Sequence, residues 1–289
     1  MTAYRPRRSM LYMPGSKPRA LEKARSLPAD ALILDLEDAT PPAEKDAARD
    51  AVANALAEGG YGARELLIRV NGLDTDWGAD DLSAAAGAAA HAVLVPKVEN
   101  AEMVAEVAAR LGDAPLSIWA MIETPRGVLN AAEIASADPR MAGFVMGTND
   151  LVKELRAEHA PDRAPVATSL SLALLAARAA GIACIDGVYN AFKDEDGLRA
   201  ECEDGRARGF DGKTLIHPAQ LAIANEVFGP SEAALAEARE QLAAFEAVEA
   251  AGQGVAVVNG RIVENLHVET AKRLIAEAEA IEALAASAP

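Results

Sequence analysis

Short apolar segments recur along the chain, and each is followed by a stretch in which apolar residues repeat with the period of a helix. Apolar segments of this length are typical of strands that are buried on both faces. The predicted strands lie at 9–13, 31–37, 65–71, 92–98, 116–123, 143–148, 183–189 and 213–217. The predicted helices lie at 17–26, 42–58, 78–89, 100–111, 126–136, 169–180, 194–208 and 218–228. This alternation predicts an α/β fold, a (β/α)8 TIM barrel.

A doubly wound open sheet is the alternative fold for the same alternation. Such a sheet usually carries a glycine-rich nucleotide-binding loop after its first strand. The corresponding segment here, MPGSKPR at 13–19, lacks the G-x-G-x-x-G pattern. We therefore predict a barrel domain over residues 1–230. Residues 231–289 are predicted to form a C-terminal helical extension that acts as a lid or as an oligomerisation arm.

Three of the predicted strands run into acidic residues. Asp35, Glu37 and Asp38 end the second strand or follow it, Glu123 ends the fifth, and Asp150 follows the sixth. The carboxyl ends of barrel strands surround the active site, so these acids are expected to converge. Glu123 and Asp150 come from adjacent strands and suit Mg²⁺, which proteins commonly hold through one or two carboxylates. The alternative is that each carboxylate caps a helix or pairs with a nearby arginine.

Cationic residues are expected at two places on the same rim. Arg69 and Lys97 lie at the ends of the third and fourth predicted strands. The planar, permanently charged guanidinium of Arg69 suits a carboxylate or a developing enolate oxygen. Lys17, Arg19 and Lys23 surround the start of the first helix and belong to the densest basic cluster in the chain. This cluster suits an anionic ligand, although a solvated basic helix face is the alternative.

Composition narrows the classes of partner. The chain has 289 residues, 51% of them hydrophobic, and a formal net charge of −16, which disfavours nucleic acid and anionic membranes as partners. It contains no apolar run of about 18 residues, and its first residues lack the apolar core of a signal peptide. We expect a cytoplasmic protein. Cys184 and Cys202 are not spaced as metal ligands or as a disulfide framework.

Seven segments together carry a family resemblance: RSMLYMPGSKPRALEKA, ADALILDLEDAT, LLIRVNGLDT, VLVPKVE, MIETPRGVLNAAEIA, GTNDL and GKTLIHPAQ. From about residue 8 to residue 275 the chain resembles the citrate lyase β subunits and malyl-CoA lyases of the HpcH/HpaI aldolase superfamily. The resemblance implies a (β/α)8 barrel that binds Mg²⁺, with Mn²⁺ as a substitute, and assembles as a homotrimer or a dimer of trimers. It also implies that Glu123 and Asp150 are metal ligands, that Arg69 is catalytic, and that Asp35 and Asp38 hold the metal's water molecules.

The resemblance also implies a reaction. We expect a Mg²⁺-dependent lyase that cleaves a malyl-CoA-type thioester into an acyl-CoA and a 2-oxo acid such as glyoxylate. Arg69 would stabilise the enolate, and Lys17, Arg19, Lys23 and Lys97 would contact the substrate or coenzyme A. The first alternative is hydrolysis of the thioester, as by a (3S)-malyl-CoA thioesterase. The second is a citryl lyase β subunit that works only within a citrate lyase complex.

The sequence departs from the family pattern at two positions. Lys17 stands where relatives commonly have asparagine, which adds a cation near the expected coenzyme A phosphates. In GRIVEN, at 260–265, Glu264 stands where the lyases often have an aspartate that serves a neighbouring subunit as acid or base. We expect Glu264 to take that role with a different reach.

Overall fold

The computed structural model describes residues 4–250 and 255–287. Its main feature is a closed barrel of eight parallel strands, in which each strand pairs with its neighbours in chain order and the last pairs with the first. The strands are β1 (Ser9–Pro14), β2 (Ala31–Asp35), β3 (Glu65–Arg69), β4 (Ala92–Val95), β5 (Ser117–Ile122), β6 (Met141–Met146), β7 (Ala183–Asp186) and β8 (Gly212–Leu215). The predicted (β/α)8 TIM barrel is confirmed.

Helices connect the strands around the outside of the barrel. They are α1 (Pro18–Ala24), α2 (Lys45–Glu58), α3 (Gly78–Ala86), α4 (Ala101–Leu111), α5 (Pro125–Leu129), α6 (Ala131–Ala135), α7 (Thr148–Glu154), α8 (Ala167–Ala180), α9 (Glu195–Arg208) and α10 (Leu221–Phe228). Short 3₁₀ helices lie at Pro42–Glu44, Ala164–Val166 and Pro218–Gln220. The helix predicted at 126–136 is divided into α5 and α6, and the sequence did not predict α7. No helix in the described part of the chain is long and apolar enough to cross a membrane.

Because side chains alternate between the two faces of each strand, the apolar residues form two separate cores. In β2, Ile33 packs with the residues inside the barrel, whereas Leu32 and Leu34 pack in the core shared with the helices. Asp35 continues the inward row one pleat beyond Ile33, as Arg69 does beyond Leu67 in β3. The two charged residues are paired across the β2–β3 ladder. Period-two alternation thus brings them together at the carboxyl end of the barrel.

Several strands end two or three residues earlier than predicted. The side chain of Asp35 accepts hydrogen bonds from the N–H groups of Glu37 (2.9 Å) and Ala39 (3.2 Å), which turn the chain at the end of β2. After β4, Lys97 adopts a left-handed φ of 50°, which a strand does not accommodate. The predicted strands at 31–37 and 92–98 therefore end at Asp35 and Val95.

Residues 229–250 and 255–287 cluster as a second compact unit, together with residues 4–6. This unit contains α11 (Glu232–Ala250), a hairpin of β9 (Ala256–Val258) and β10 (Arg261–Val263), and α12 (Asn265–Ala286). Phe245, Val258 and Val263 contribute to its small apolar core. The hairpin is an addition to the helical extension predicted over 231–289, of which residues 251–254, 288 and 289 lie outside the described residues. The role of this C-terminal extension as a lid or as an oligomerisation arm stays a prediction.

Candidate active site

A cavity of 330 Å³ opens at the carboxyl ends of the barrel strands. Five of the site residues predicted from the sequence line it, namely Asp35, Asp38, Arg69, Glu123 and Asp150. Tyr12, Ala39, Met121, Met146, Gly147, Thr148, Asn149, Val188 and Ile216 complete its lining. The cavity therefore combines acidic groups and one guanidinium with an apolar wall.

Arg69 is held in a fixed orientation by carboxylates. Its Nε and Nη2 donate to the two carboxylate oxygens of Asp35 at 2.7 and 2.5 Å, and its Nη1 lies 2.8 Å from Oε2 of Glu37. The guanidinium lies over the ring of Tyr12, 4.8 Å from its centroid. Burial opposes the charge, but the nearby carboxylates of Asp35 and Glu37 and the hydrogen bond to Asp35 contribute to a net rise in the pKa of Arg69. Arg69 is thus a permanent, oriented cation in the wall of the cavity.

Lys97 joins two of the carboxylates. Its backbone N–H donates to Oε1 of Glu123 at 2.8 Å, and its Nζ donates to Oε1 of Glu37 at 3.0 Å. Burial disfavours the ammonium form, yet the hydrogen bond to Glu37 raises the pKa of Lys97 above its usual value. Lys97 therefore neutralises part of the negative charge around the cavity without closing it.

Glu123 is almost wholly buried, with 2% of its surface exposed. Burial raises the pKa of Glu123 to about 7; the Lys97 N–H opposes this shift, and the charges of Glu37 and Asp150 add to it. Gly147, at the end of β6, makes room for this side chain, because a Cβ there would lie 2.2 Å from Oε2 of Glu123. A buried carboxylate with so little compensating charge is suited to binding a cation.

Asp150 lies in the first turn of α7 rather than at a strand end. It lines the cavity, and its carboxylate makes no hydrogen bond or ion pair with a described residue. No group of three or more His, Cys, Asp and Glu side chains suited to a metal is found among residues 4–250 and 255–287. An ion held by Glu123 and Asp150 would therefore take its other ligands from water and substrate, which is the usual pattern for Mg²⁺.

The remaining predicted site residues lie outside this cavity. Lys97 lines an adjoining cleft of 1010 Å³, which shares Asp38 with the cavity. Lys17, Arg19 and Lys23 are exposed at the start of α1 and along it, and Lys17 lies 3.6 Å from Glu44. Glu264 is exposed at the start of α12 in the second unit, where its N–H donates to Nδ1 of His267 at 3.1 Å.

Tyr12 and Thr148 line the cavity but were not predicted from the sequence. Tyr12 packs against the guanidinium of Arg69, and burial raises the pKa of its hydroxyl above the usual value. Its position could have been inferred from β1, because Tyr12 lies one pleat beyond the inward-facing Met10, as Arg69 does beyond Leu67. Thr148 had no comparable signal, because the sequence did not predict α7.

The sequence and the fold were compared with those of known proteins. Residues 8–218 match the family model described as HpcH/HpaI aldolase/citrate lyase. The chain belongs to this family. Like its relatives in the family, it is an enzyme.

Three members of the HpcH/HpaI family are informative. The chain is 61% identical to a (3S)-malyl-CoA thioesterase of Cereibacter sphaeroides, over 98% of each chain. It is 35% identical to an L-malyl-CoA/beta-methylmalyl-CoA lyase of the same species, over 96% of each chain. The crystal structure of the protein CitE from Mycobacterium tuberculosis, in complex with magnesium, acetoacetate and coenzyme A, matches with a TM-score of 0.77 and 33% identity, over 96% of this chain and 99% of that one.

Proposed function

We propose that this enzyme is a Mg²⁺-dependent thioesterase that hydrolyses (3S)-malyl-CoA to malate and coenzyme A. The observation that carries the proposal is the 61% identity to a malyl-CoA thioesterase, against 35% to a malyl-CoA lyase over a similar length. The lyase reaction, which the sequence analysis put first, is therefore replaced by its alternative. In the hydrolysis a water oxygen bonds to the thioester carbon, the carbon–sulfur bond breaks, and a proton from the water passes to the departing thiol.

Glu123 and Asp150 would hold the Mg²⁺ ion, with Mn²⁺ as a substitute. Support comes from the buried Glu123 carboxylate, from the lack of a described protein partner for Asp150, and from the magnesium bound by a solved relative. When bound, the ion would supply Lewis acidity and a template for the hydroxyl and carboxylate of the malyl group. The two carboxylates would fix its place in the 330 Å³ cavity.

Arg69 would hold the negative charge that develops on the thioester carbonyl oxygen. A donor of this kind is effective when its orientation is fixed before the reaction, because no reorganisation is then needed in the transition state. The contacts with Asp35, Glu37 and Tyr12 supply that orientation. Asp35 and Asp38 would also orient water beside the ion; the carboxylate of Asp38 is largely exposed and lies 3.9 Å from Nη1 of Arg69.

Coenzyme A would be held by the cations outside the cavity. Lys17, Arg19 and Lys23 are exposed and suit phosphates, and Lys97 lies on the route from the adjoining cleft. Glu264, in the C-terminal unit, would transfer a proton in the site of a neighbouring subunit of a trimer or a dimer of trimers. In this proposal residues 231–289 act as the lid.

The test is to incubate the purified protein with malyl-CoA and Mg²⁺, with and without a chelator, and to follow malate, free coenzyme A, glyoxylate and acetyl-CoA together. We expect malate and coenzyme A in equal amounts, and none after chelation. Glyoxylate with acetyl-CoA would instead establish the lyase. If no product forms, the thioesterase proposal fails, and a citryl thioester on a carrier protein becomes the substrate to test.

A further inference from the structure

A second cavity, of 420 Å³, lies beside the metal-site cavity. It is formed by the connections that follow β6 and β7 and by part of α9, and it shares Thr148 and Val188 with the metal-site cavity. Asn149 lines the first cavity and Asn190 the second, and their amides exchange two hydrogen bonds of 2.8 and 3.2 Å. We call this second cavity the side pocket. The side pocket therefore adjoins the cavity of the proposed metal site at Thr148 and Val188.

The side pocket is suited to an uncharged group. Much of its lining is apolar, including Val152, Pro161, Pro165, Val166 and Ala200. Among the described residues that line it, Arg163 is the one arginine or lysine, and its guanidinium is already paired with Asp186 and with Asp204. Glu158 adds negative charge, and Glu201 is paired with Lys213 at 2.6 Å. A phosphate or a carboxylate would therefore find no unpaired arginine or lysine among these residues, whereas an alkyl or aryl group would gain from burial.

The side pocket is also in the wrong place for the coenzyme. The basic cluster expected to hold phosphates follows β1, which pairs with β2 and β8. The side pocket follows β6 and β7, two or more strands farther round the barrel. Its volume lies within the range of ordinary ligand sites.

We propose that the side pocket receives an apolar branch of several carbons on the acyl chain of the substrate. This inference rests on the proposed function and narrows it to a substrate class, namely malyl thioesters with an alkyl or aryl branch on one of the two carbons between the carboxylate and the thioester. The reaction stays the addition of water and loss of the thiol, and the acid product keeps the branch.

Ala200 and Ala207 provide a matched pair of positions for the test. Both are exposed residues of α9 and lie seven residues apart, which is about two helical turns. Ala200 lines the side pocket and Ala207 does not. Ala200→Phe should fill the side pocket, and Ala207→Phe should add the same ring to the same helix outside it.

The probes are malyl-CoA and two analogues with a butyl branch, one on the carbon next to the thioester and one on the carbinol carbon. We expect the wild-type enzyme to hydrolyse at least one analogue with a kcat/KM within about tenfold of that for malyl-CoA. Ala200→Phe should lower that value by roughly tenfold or more while leaving malyl-CoA within about twofold, because one methylene in an apolar pocket already discriminates by about tenfold. Ala207→Phe should change neither value.

Several results would overturn the inference. One is that the wild-type enzyme hydrolyses malyl-CoA but neither analogue. Another is that Ala200→Phe hydrolyses the analogues as efficiently as the wild type does. A third is that Ala200→Phe loses activity equally toward branched and unbranched substrates. The last would assign the side pocket to the pantetheine arm. If the wild-type enzyme does not hydrolyse malyl-CoA at all, the proposed function itself is refuted.

If Ala200→Phe does not fold, Ala160→Leu replaces it. Calorimetric titration of the Mg²⁺-loaded wild-type protein with malate and with butylmalate gives a second readout. Tighter binding of butylmalate than of malate supports the inference, and the reverse order contradicts it.

Discussion

The backbone N–H of Lys97 donates a 2.8 Å hydrogen bond to Oε1 of Glu123, and Lys97 adopts a left-handed φ of 50° where it makes this contact. The turn after β4 thereby fixes the carboxylate at the end of β5. A residue with a Cβ in this conformation costs roughly 1–2 kcal/mol. The contacts of Lys97 with Glu123 and Glu37 offset that cost. The backbone conformation of Lys97 is therefore as important to the arrangement of the site as its side-chain charge.

This geometry predicts that Lys97→Ala is less stable than Lys97→Gly. Both variants lose the ammonium contact with Glu37, but only alanine keeps a Cβ that the left-handed conformation disfavours. We expect a difference of about 1 kcal/mol in the free energy of unfolding, measured by urea denaturation of the metal-free proteins. Equal stabilities, or a more stable alanine variant, would contradict the backbone argument.

Removing one carboxylate charge at the proposed metal site should weaken Mg²⁺ binding. We expect Glu123→Gln and Asp150→Asn each to raise the dissociation constant by more than about tenfold, because these are the two carboxylates proposed to bind the ion directly. Glu154→Gln, on the same helix as Asp150, is the matched control and should bind as the wild type does. Calorimetric titration with Mg²⁺ measures the affinity. An unchanged affinity in both site variants would refute the metal assignment.

The barrel and the inward row of charges could be predicted from the sequence because both depend on periodicity. Strand alternation alone places Arg69 and Glu123 at the carboxyl end of the barrel. The contact between Lys97 and Glu123 could not be predicted, because it depends on one backbone angle in a turn. The helix that carries Asp150 could not be predicted either, since α7 is too short to leave a clear helical pattern.

The basic cluster should act on the phosphates of coenzyme A. We expect the combined variant Lys17→Ala, Arg19→Ala, Lys23→Ala to raise KM for malyl-CoA by roughly tenfold or more at low salt, and the difference from wild type to shrink as salt screens the charges. The KM for malyl-pantetheine, which lacks the phosphates of coenzyme A, should not change. Arg110→Ala, at an exposed position of α4, is the control. An equal effect on both substrates would contradict the role in binding phosphate.

The two cysteines should be unreactive in the folded protein. Both are buried; burial raises the pKa of Cys202 to about 12 and also raises the pKa of Cys184. Folding therefore favours the neutral thiols, and this contribution to stability is complete below the unfolded value of 9.0 and is lost as pH rises above it. We expect no reaction with a thiol reagent at pH 8 until denaturant is added. Rapid labelling of the native protein would contradict this.

Arg69 and Asp35 form a bidentate pair, so a lysine at position 69 would keep the charge but lose the planar fork. If Arg69 acts on the developing oxyanion, Arg69→Lys should lower kcat by roughly 100-fold and change KM much less, because the interaction strengthens only in the transition state. Arg178 makes a similar bidentate pair with Asp211, and neither residue lines the cavity, so Arg178→Lys is the matched control. It should leave kcat unchanged. A variant at position 69 that raises KM alone would show that Arg69 binds the substrate without favouring its reaction.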